Sequence, residues 1–333
     1  MSKVTYIFGA GASKNALPLI NEIPSRTEQL VQTLEQDNLA LDNKKFSVLK
    51  EEKTKRNFQL ELISDLKWLS KTISNHSSVD TFAKKLYITK NFSDYYRLKL
   101  ALSVFFVFEQ ARNKPDIRYD LFFASILSST SVLPSNIRIL TWNYDYQFEL
   151  TFSNYINQYD LKSLEDYLSV DSKFFEKPYS QGFRIFKLNG TIGLFRDGFN
   201  NYRFINKINR QFDLGMIHEV IQNYATIKSL HDLKISLSFS WEPESNQTKL
   251  IDRVIQDISN TEVLIVIGYS VHFFNREIDR AILNNMKNLK RIYIQSPEAD
   301  GVKERLLASM VQTSGIEIIN KYNTEQFYLP NEL

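Results

Sequence analysis

The distribution of glycine is the feature of this sequence that most constrains the fold. The chain has ten glycines in 333 residues, which is about 3% where soluble proteins average roughly 7%. None lies between Gly11 and Gly182. Glycine tolerates left-handed backbone and very close backbone approach better than any other residue. We therefore expect these few glycines to lie where the backbone geometry requires them.

The first two glycines follow a short apolar run, Val4–Phe8, and belong to the segment Gly9-Ala10-Gly11-Ala12-Ser13. This pattern predicts a buried strand that turns tightly into a helix. In many nucleotide-binding folds, such a helix N-terminus binds a phosphate through backbone N–H groups. Lys14 occupies the third position of G-x-G-x-x-G and the ending of a P-loop is missing. A plain strand-to-helix turn therefore remains an equal alternative.

The hydrophobic pattern then becomes helical from about residue 26 to residue 131. Leu60, Ile63, Leu66 and Leu69 recur every three residues, which is typical of one face of a helix. Lys44–Arg56 is rich in lysine and glutamate and predicts an exposed linker or helix end.

Strand-like runs return from residue 137 onward. The two that begin at Ile137 and Val263 lack polar alternation, as central parallel strands do. Helical stretches at Gln247–Ser259 and Asn275–Lys287 separate the last runs, as crossover connections require. The runs are Ile137–Thr141, Phe183–Leu188, Ile235–Phe239, Val263–Ile267, Arg291–Gln295 and Ile316–Ile319.

These patterns predict an α/β fold, a Rossmann-like open parallel sheet with a large helical insertion after the first strand. The sheet domain is expected at residues 1–25 and 133–320, the helical insertion at 26–132, and a C-terminal tail at 321–333.

Composition excludes several classes of function. A net charge of +3, from 41 basic and 38 acidic residues, gives no reason to expect nucleic acid as a partner. The most apolar run, Leu98–Phe108, is about half the length needed to span a bilayer and predicts a buried helix. Residues 1–5 carry no basic, apolar leader. We therefore expect a cytoplasmic protein without a membrane partner.

Metal chemistry is not expected either. The absence of cysteine excludes disulfides, thiolate nucleophiles and cysteine zinc sites. The four histidines, His76, His218, His231 and His272, show no ligand spacing.

Four motifs fall where predicted strands end, and in an open α/β sheet the ligand binds at those ends. The first is the Gly9–Ser13 loop. The others are Thr141-Trp142-Asn143-Tyr144-Asp145, Asn189-Gly190-Thr191 and Gly268-Tyr269-Ser270. Asn143 and Asp145 have the groups to hold ribose hydroxyls or a water molecule. Trp142 and Tyr144 flank Asn143 with surfaces on which a planar ring could rest. An N-cap or Asx-turn is an equal interpretation of Asp145.

In this order, the four motifs resemble the sirtuin superfamily, and most closely the prokaryotic sirtuin-like NAD hydrolases of antiphage defence. The likeness spans nearly the whole chain. Its elements are the Gly9–Ser13 loop with Leu17-Pro18 after it, the Thr-x-Asn-x-Asp element at Thr141–Asp145, the strand end Val266–Ser270, the pair Ser296-Pro297, and a helical element at Val79–Phe82.

The resemblance implies NAD as substrate, no metal, self-assembly, and a companion defence protein that senses infection. It assigns catalytic roles to Asn143, Asp145 and Asn189. It assigns contacts with the nucleotide to Gly9, Ala10, Gly11, Ala12, Ser13, Thr141, Gly190, Gly268, Ser270 and Ser296.

The sequence departs from the family at two points. Without cysteine it has no zinc ribbon, which disfavours protein deacylation. Asn189-Gly190 stands where the family has its catalytic His-Gly, and an amide does not titrate near neutral pH.

The sequence leaves three hypotheses open. The first is an NAD+ glycohydrolase that releases nicotinamide and ADP-ribose as a partner-activated defence effector, slowed by the missing base. The second is a subunit that binds NAD or ADP-ribose and regulates a companion. A substitution introduced at Asn189 is a further possibility. The third hypothesis is merely structural: it keeps the sheet and treats every motif as part of a turn. It leaves the clustering of the few glycines at strand ends unexplained.

Overall fold

A computed structural model describes residues 3–47, 52–129, 132–178, 182–198, 200–230, 233–243 and 249–333. Parts of the predicted insertion, at residues 48–51 and 130–131, lie outside these ranges, as do the start of the predicted helix at 247–248 and His231. The chain divides into two compact units. The first comprises Met1–Asn15, Pro115–Thr191 and Phe239–Leu333, and the second comprises Ala16–Lys114 and Ile192–Ser238.

Strands and helices are numbered in chain order. The strands are β1 Val4–Phe8, β2 Ile137–Thr141, β3 Val170–Ser172, β4 Arg184–Lys187, β5 Leu194–Asp197, β6 Asn200–Arg203, β7 Lys234–Ile235, β8 Val263–Ile267, β9 Arg291–Gln295 and β10 Glu317–Lys321. The helices are α1 Ile23–Leu34, α2 Lys55–Ile73, α3 Val79–Ile88, α4 Phe92–Arg112, α5 Ile117–Ile126, α6 Gln147–Ile156, α7 Leu161–Tyr167, α8 Leu214–Ser229, α9 Leu250–Ile258, α10 Arg276–Asn285 and α11 Ala299–Leu307.

The first unit is built on a seven-stranded parallel sheet with the order β10-β9-β8-β1-β2-β4-β3. Every residue of β1, β2 and β8 is buried, as expected for strands that are mostly apolar on both faces. The predicted open parallel α/β sheet is confirmed. Strand order reverses beside β1, because β2 lies on one side of it and β8 on the other. That reversal is the point where such sheets bind ligands.

Apolar side chains cover the sheet. Val254 and Ile258 of α9 and Ile282 of α10 pack in one core with sheet residues such as Val266. A second cluster is aromatic and surrounds Phe8, whose ring contacts those of Phe122, Phe148 and Phe327 at 5.1–6.0 Å between centroids.

The second unit contains α1–α4, α8 and a small antiparallel sheet of order β6-β5-β7. The run from Leu98 to Phe108 is buried throughout within α4, which confirms the predicted buried helix. Among the described helices, none combines the length and apolar character needed to cross a membrane.

The two units differ from the predicted domain boundaries. Residues 16–25 belong to the second unit, and the tail predicted at 321–333 belongs to the first. Helix α5 belongs to the first unit, where Tyr119 and Phe122 pack against Phe8. Residues 192–238 join the second unit. The strand expected at Ile235–Phe239 is therefore not in the parallel sheet. Only Lys234–Ile235 is a strand, and it pairs antiparallel with β5. Its alternating apolar and serine residues are the pattern of an antiparallel strand.

Candidate functional site

The four motifs meet at one edge of the parallel sheet. Strands β8, β1, β2 and β4 are consecutive neighbours, and each is followed by one of the predicted loops. Because parallel strands end at the same edge, the four loops lie side by side at the topological switch point.

The loop after β1 is a short 3-10 turn, Ala10–Ala12. The prediction that a helix follows this loop directly is wrong, since the first α-helix begins only at Ile23. The loop instead closes on itself, because the N–H groups of Ala12 and Ser13 donate to the carbonyls of Gly9 and Ala10 at 2.9 and 3.1 Å. The N–H groups of Gly9 and Gly11 donate to Ile267 and Gly268.

One backbone donor of this loop points elsewhere. Within the described part of the chain, the N–H of Ala10 has no hydrogen-bond partner, and Ala10 is exposed. Lys14, which is also exposed, follows the loop and forms no ion pair with any described residue. The loop therefore offers one amide and one ammonium group to an anion, rather than a full helix N-terminus.

The glycines are explained by backbone packing between the loops after β1 and β8. A Cβ on Gly9 would lie 2.6 Å from Tyr269 Cα, and one on Gly11 would lie 2.9 Å from Gly268 Cα. Gly268 has φ +58°, and its Cβ would lie 2.4 Å from Ala12 N. These three glycines bring two loops into direct backbone contact.

Ser13 is the centre of a buried hydrogen-bond network. Its hydroxyl donates to Asp145 Oδ2 at 2.7 Å and accepts from Asn143 Nδ2 at 3.2 Å. Tyr119 Oη lies 2.9 Å away. Because the single Ser13 proton is committed to Asp145, Tyr119 donates in this pair. Both lone pairs of Ser13 are then used, and the side chain organises the loops.

Asp145 is held by protein groups on both oxygens. Its Oδ1 accepts from the Gln147 N–H at 3.1 Å, which is an Asx-turn at the start of α6. Burial raises the pKa of Asp145, while Lys187 and the Ser13 hydrogen bond oppose the increase. Lys187 Nζ donates to the Asp145 carbonyl at 2.6 Å and pairs with Glu149 at the same distance.

Asn143 and Asn189 have the same arrangement in the loops that follow two neighbouring strands, β2 and β4. Asn143 Nδ2 donates to the Gly9 carbonyl at 3.0 Å, and Asn189 Nδ2 donates to the Trp142 carbonyl at 3.1 Å. A carbonyl only accepts, so each bond fixes which way its amide faces. The Oδ1 of Asn189 is buried and has no partner among the described residues. Asn143 Oδ1 likewise accepts no hydrogen bond from them.

The aromatic surface predicted at Trp142 is occupied by the protein. The Trp142 ring is 5% exposed and stacks on Tyr269 with a centroid separation of 5.8 Å. Tyr269 Oη donates to Asp279 Oδ2 at 2.6 Å and accepts from Asn275 Nδ2 at 3.0 Å. Burial raises the pKa of Asp279 to about 7.

The remaining predicted residues contribute to the backbone conformation and hydrogen bonds of the loops. Thr141 Oγ1 accepts from the Asn143 N–H, and Ser296 Oγ accepts from the Glu298 N–H before α11. Gly190 has φ 73°. Ser270 is exposed, and its carbonyl accepts from Arg305 Nε at 2.7 Å.

Three residues of the network were missed by the sequence analysis. They are Arg118, Tyr119 and Lys187. Arg118 Nη2 donates to the carbonyls of Gly11 and Ala12 at 3.2 and 2.9 Å. Arg118 and Tyr119 lie in the predicted insertion, where no local pattern connects them to β1. Lys187 had a signal, because a lysine at the end of a buried strand needs a partner.

The fold and the site together define an α/β protein with a Rossmann-like parallel sheet and a polar cluster at its switch point. The sequence matches no protein-family model and no curated protein. Among the described residues, no three His, Asp or Glu side chains are grouped to hold a metal ion.

Proposed function

We propose that this chain binds NAD+ at the carboxyl edge of the sheet and hydrolyses its nicotinamide–ribose bond, giving nicotinamide and ADP-ribose. The observation that carries the proposal is the pair of amide oxygens of Asn143 and Asn189. Their nitrogens are tied to backbone carbonyls, and the oxygens of both lack partners among the described residues.

A buried acceptor without a partner costs about 1–3 kcal/mol, and a donor that arrives with the ligand would satisfy Asn189 Oδ1. Ribose hydroxyls and water are such donors. The Ala10 N–H and Lys14 add groups suited to a diphosphate. The resemblance to sirtuin-like NAD hydrolases supports the choice of NAD+ among ribosyl ligands.

Cleavage of the nicotinamide–ribose bond requires little general acid–base catalysis. When the bond from ribose C1′ to the nicotinamide nitrogen breaks, its electron pair neutralises the pyridinium, so the leaving group needs no proton. Water then adds to C1′ and releases its extra proton to solvent water. Asn143 and Asn189 would accept hydrogen bonds from ribose or this water, but neither takes up the proton. Loss of a positioned base costs about 10²–10⁴ in rate, so we expect slow turnover by the chain alone.

A second candidate is favoured by Asn189 itself. A site that holds ribose through amides and lacks a titratable base suits a subunit that binds NAD+ or ADP-ribose and regulates a companion protein. The resemblance further supports a role in antiphage defence, self-assembly and activation by a companion protein.

Nicotinamide release and NAD+ binding, measured on the same preparation, test both candidates. The wild type is assayed by chromatography alone and with proteins encoded by neighbouring genes, while calorimetry measures binding of NAD+ and ADP-ribose. Release of nicotinamide supports the hydrolase. Binding without release under every condition supports the regulatory subunit, and absence of binding contradicts both.

A further inference from the structure

Residues 323–328, here called the C-terminal strap, are fastened to the end of β9 by one side chain. Gln295 Nε2 donates to the carbonyls of Asn323 and Gln326, each at 2.7 Å. Gln295 Oε1 accepts from the Tyr328 N–H at 2.9 Å. All three bonds are made to the strap backbone, so they fix its path whatever its side chains are.

The strap also contributes to the aromatic core. Phe327 is 4% exposed, and its ring lies 5.2 Å from Phe8 and 5.0 Å from Tyr119. The Arg118 guanidinium lies 5.1 Å from the Phe327 ring centroid, within the range of a cation–π contact.

Arg118 joins this strap to the loop after β1. Its Nη1 donates to the Thr324 carbonyl at 3.3 Å, while Nη2 donates to the Gly11 and Ala12 carbonyls. Asp116, which is fully buried, pairs with the same guanidinium at 2.6 Å. A planar group with five donors makes these bonds at once, which an ammonium group cannot do.

We propose that the C-terminal strap holds the Gly9–Ser13 loop in its ligand-binding conformation through Arg118. Arg118 and Gln295 are then positioning residues, which act on the ligand only through the backbone of the loops. The effect on NAD+ rests on the proposed function, whereas the coupling between strap and loop does not. A partner that displaced the strap would weaken the site from a distance.

Hydrogen exchange at the loop amides tests the coupling. The isosteric change Gln295→Glu sets a carboxylate against two strap carbonyls without altering any loop residue, and Arg118→Lys breaks the link itself. We expect both variants to speed exchange at Gly11–Ser13 by about ten-fold or more, the size expected for losing a bond from a charged donor. If Gln295→Glu does not fold, Phe327→Leu replaces it.

Arg184→Lys is the matched control. Arg184 is as buried as Arg118 and also pairs with a fully buried aspartate, Asp171, at 2.8 Å. It is the first residue of β4 and therefore lies at the amino ends of the parallel strands, away from the loops at their carboxyl ends. Exchange at the loop should stay within about two-fold of the wild type in this variant, since distant sites act independently. Equal acceleration in Arg184→Lys and Arg118→Lys would overturn the proposal, as would unchanged loop exchange in folded Gln295→Glu.

Calorimetry with NAD+ then separates the two proposals. If the wild type binds NAD+, the dissociation constant should rise by about ten-fold in Arg118→Lys and Gln295→Glu, and an unchanged constant would contradict the strap's role in binding. If the wild type binds no NAD+, the proposed function fails, and the exchange data alone decide whether the strap orders the loop.

Discussion

Asn143 Nδ2 donates a 3.0 Å hydrogen bond to the carbonyl oxygen of Gly9, and this bond joins the end of β2 to the loop after β1. It also leaves Asn143 Oδ1 as the group that can meet a ligand. The same side chain donates to Ser13 Oγ, so one amide both organises the loop and presents an acceptor.

Replacing Asn143 tests these two roles together. Asn143→Ala removes two donated bonds, so we expect the free energy of unfolding to fall by about 1–3 kcal/mol and nicotinamide release to be lost while the fold remains. Urea unfolding and chromatography measure the two effects. Asn223→Ala is the control, because Asn223 donates to the Phe204 carbonyl at 3.0 Å in the second unit. Equal nicotinamide release in Asn143→Ala and wild type would show that Asn143 has no role in turnover.

The close approach of the two loops predicts different costs for two left-handed glycines. Gly315 has φ +81° with no atom within 4 Å of an added Cβ, so Gly315→Ala should cost about 1–2 kcal/mol from backbone conformation alone. Gly268→Ala meets Ala12 N as well and should cost about 1–3 kcal/mol more. Denaturant unfolding gives both values, and equal costs would mean that the loops separate freely.

Replacing Ala10 with proline removes the exposed N–H of the loop and so tests its role in binding. Gly9 is extended, with φ −123° and ψ −175°, which suits a residue before proline, and the 3-10 turn has a φ close to that of proline. Ala10→Pro should therefore keep the fold and weaken NAD+ binding by about ten-fold or more through loss of one donor to an anion. Ala10→Ser keeps the N–H and should bind normally. Calorimetry that finds both variants equal to wild type would remove this amide from the site.

Asn189→His should raise turnover if the site lacks only a base. Imidazole, with a pKa near 6.5, accepts a proton at neutral pH, and we expect nicotinamide release to increase by about ten-fold or more. The increase should vanish when Asn143→Ala is added. No increase in a folded variant that binds NAD+ would favour the regulatory subunit.

Asp279 predicts a pH dependence of stability. Burial raises its pKa to about 7 in the folded state, above the roughly 4 of an unfolded chain, so the folded state binds more protons between these values. Stability from this group is present below about pH 4 and is lost as pH rises to about 7, by up to about 4 kcal/mol at about 1.4 kcal/mol per pH unit.

Asp279→Asn should abolish this loss, because the amide stays neutral and still accepts the Tyr269 hydrogen bond. Urea unfolding from pH 4 to 8 gives the difference between wild type and variant. We expect the free energy of unfolding of the wild type to fall relative to that of the variant as pH rises. A difference that does not change with pH would show that Asp279 has an ordinary pKa.

The sequence by itself determined the parallel sheet and the places where loops leave it. The sequences of β1, β2 and β8 are mostly apolar on both faces, which predicts burial on both faces. Arg138 of β2 is buried with them and pairs with Asp257 at 3.3 Å. Gly9, Gly11 and Gly268 marked the strand ends because no other residue permits that backbone approach. The Asx-turn at Asp145 was also within reach, because it depends on residues two positions apart.

Tertiary structure decided how the motifs are used. The loop amides that a strand-to-helix turn would leave free are instead paired with carbonyls of the loop itself and of residues more than 250 positions away, at the end of β8. Arg118 reaches Gly11 across 107 residues and Thr324 across 206. Local patterns predict contacts between neighbours in sequence, but a buried guanidinium is satisfied by whichever carbonyls the fold brings to it. The sequence therefore predicted where the candidate site lies, and only the folded chain decided which of its polar atoms are left without a protein partner.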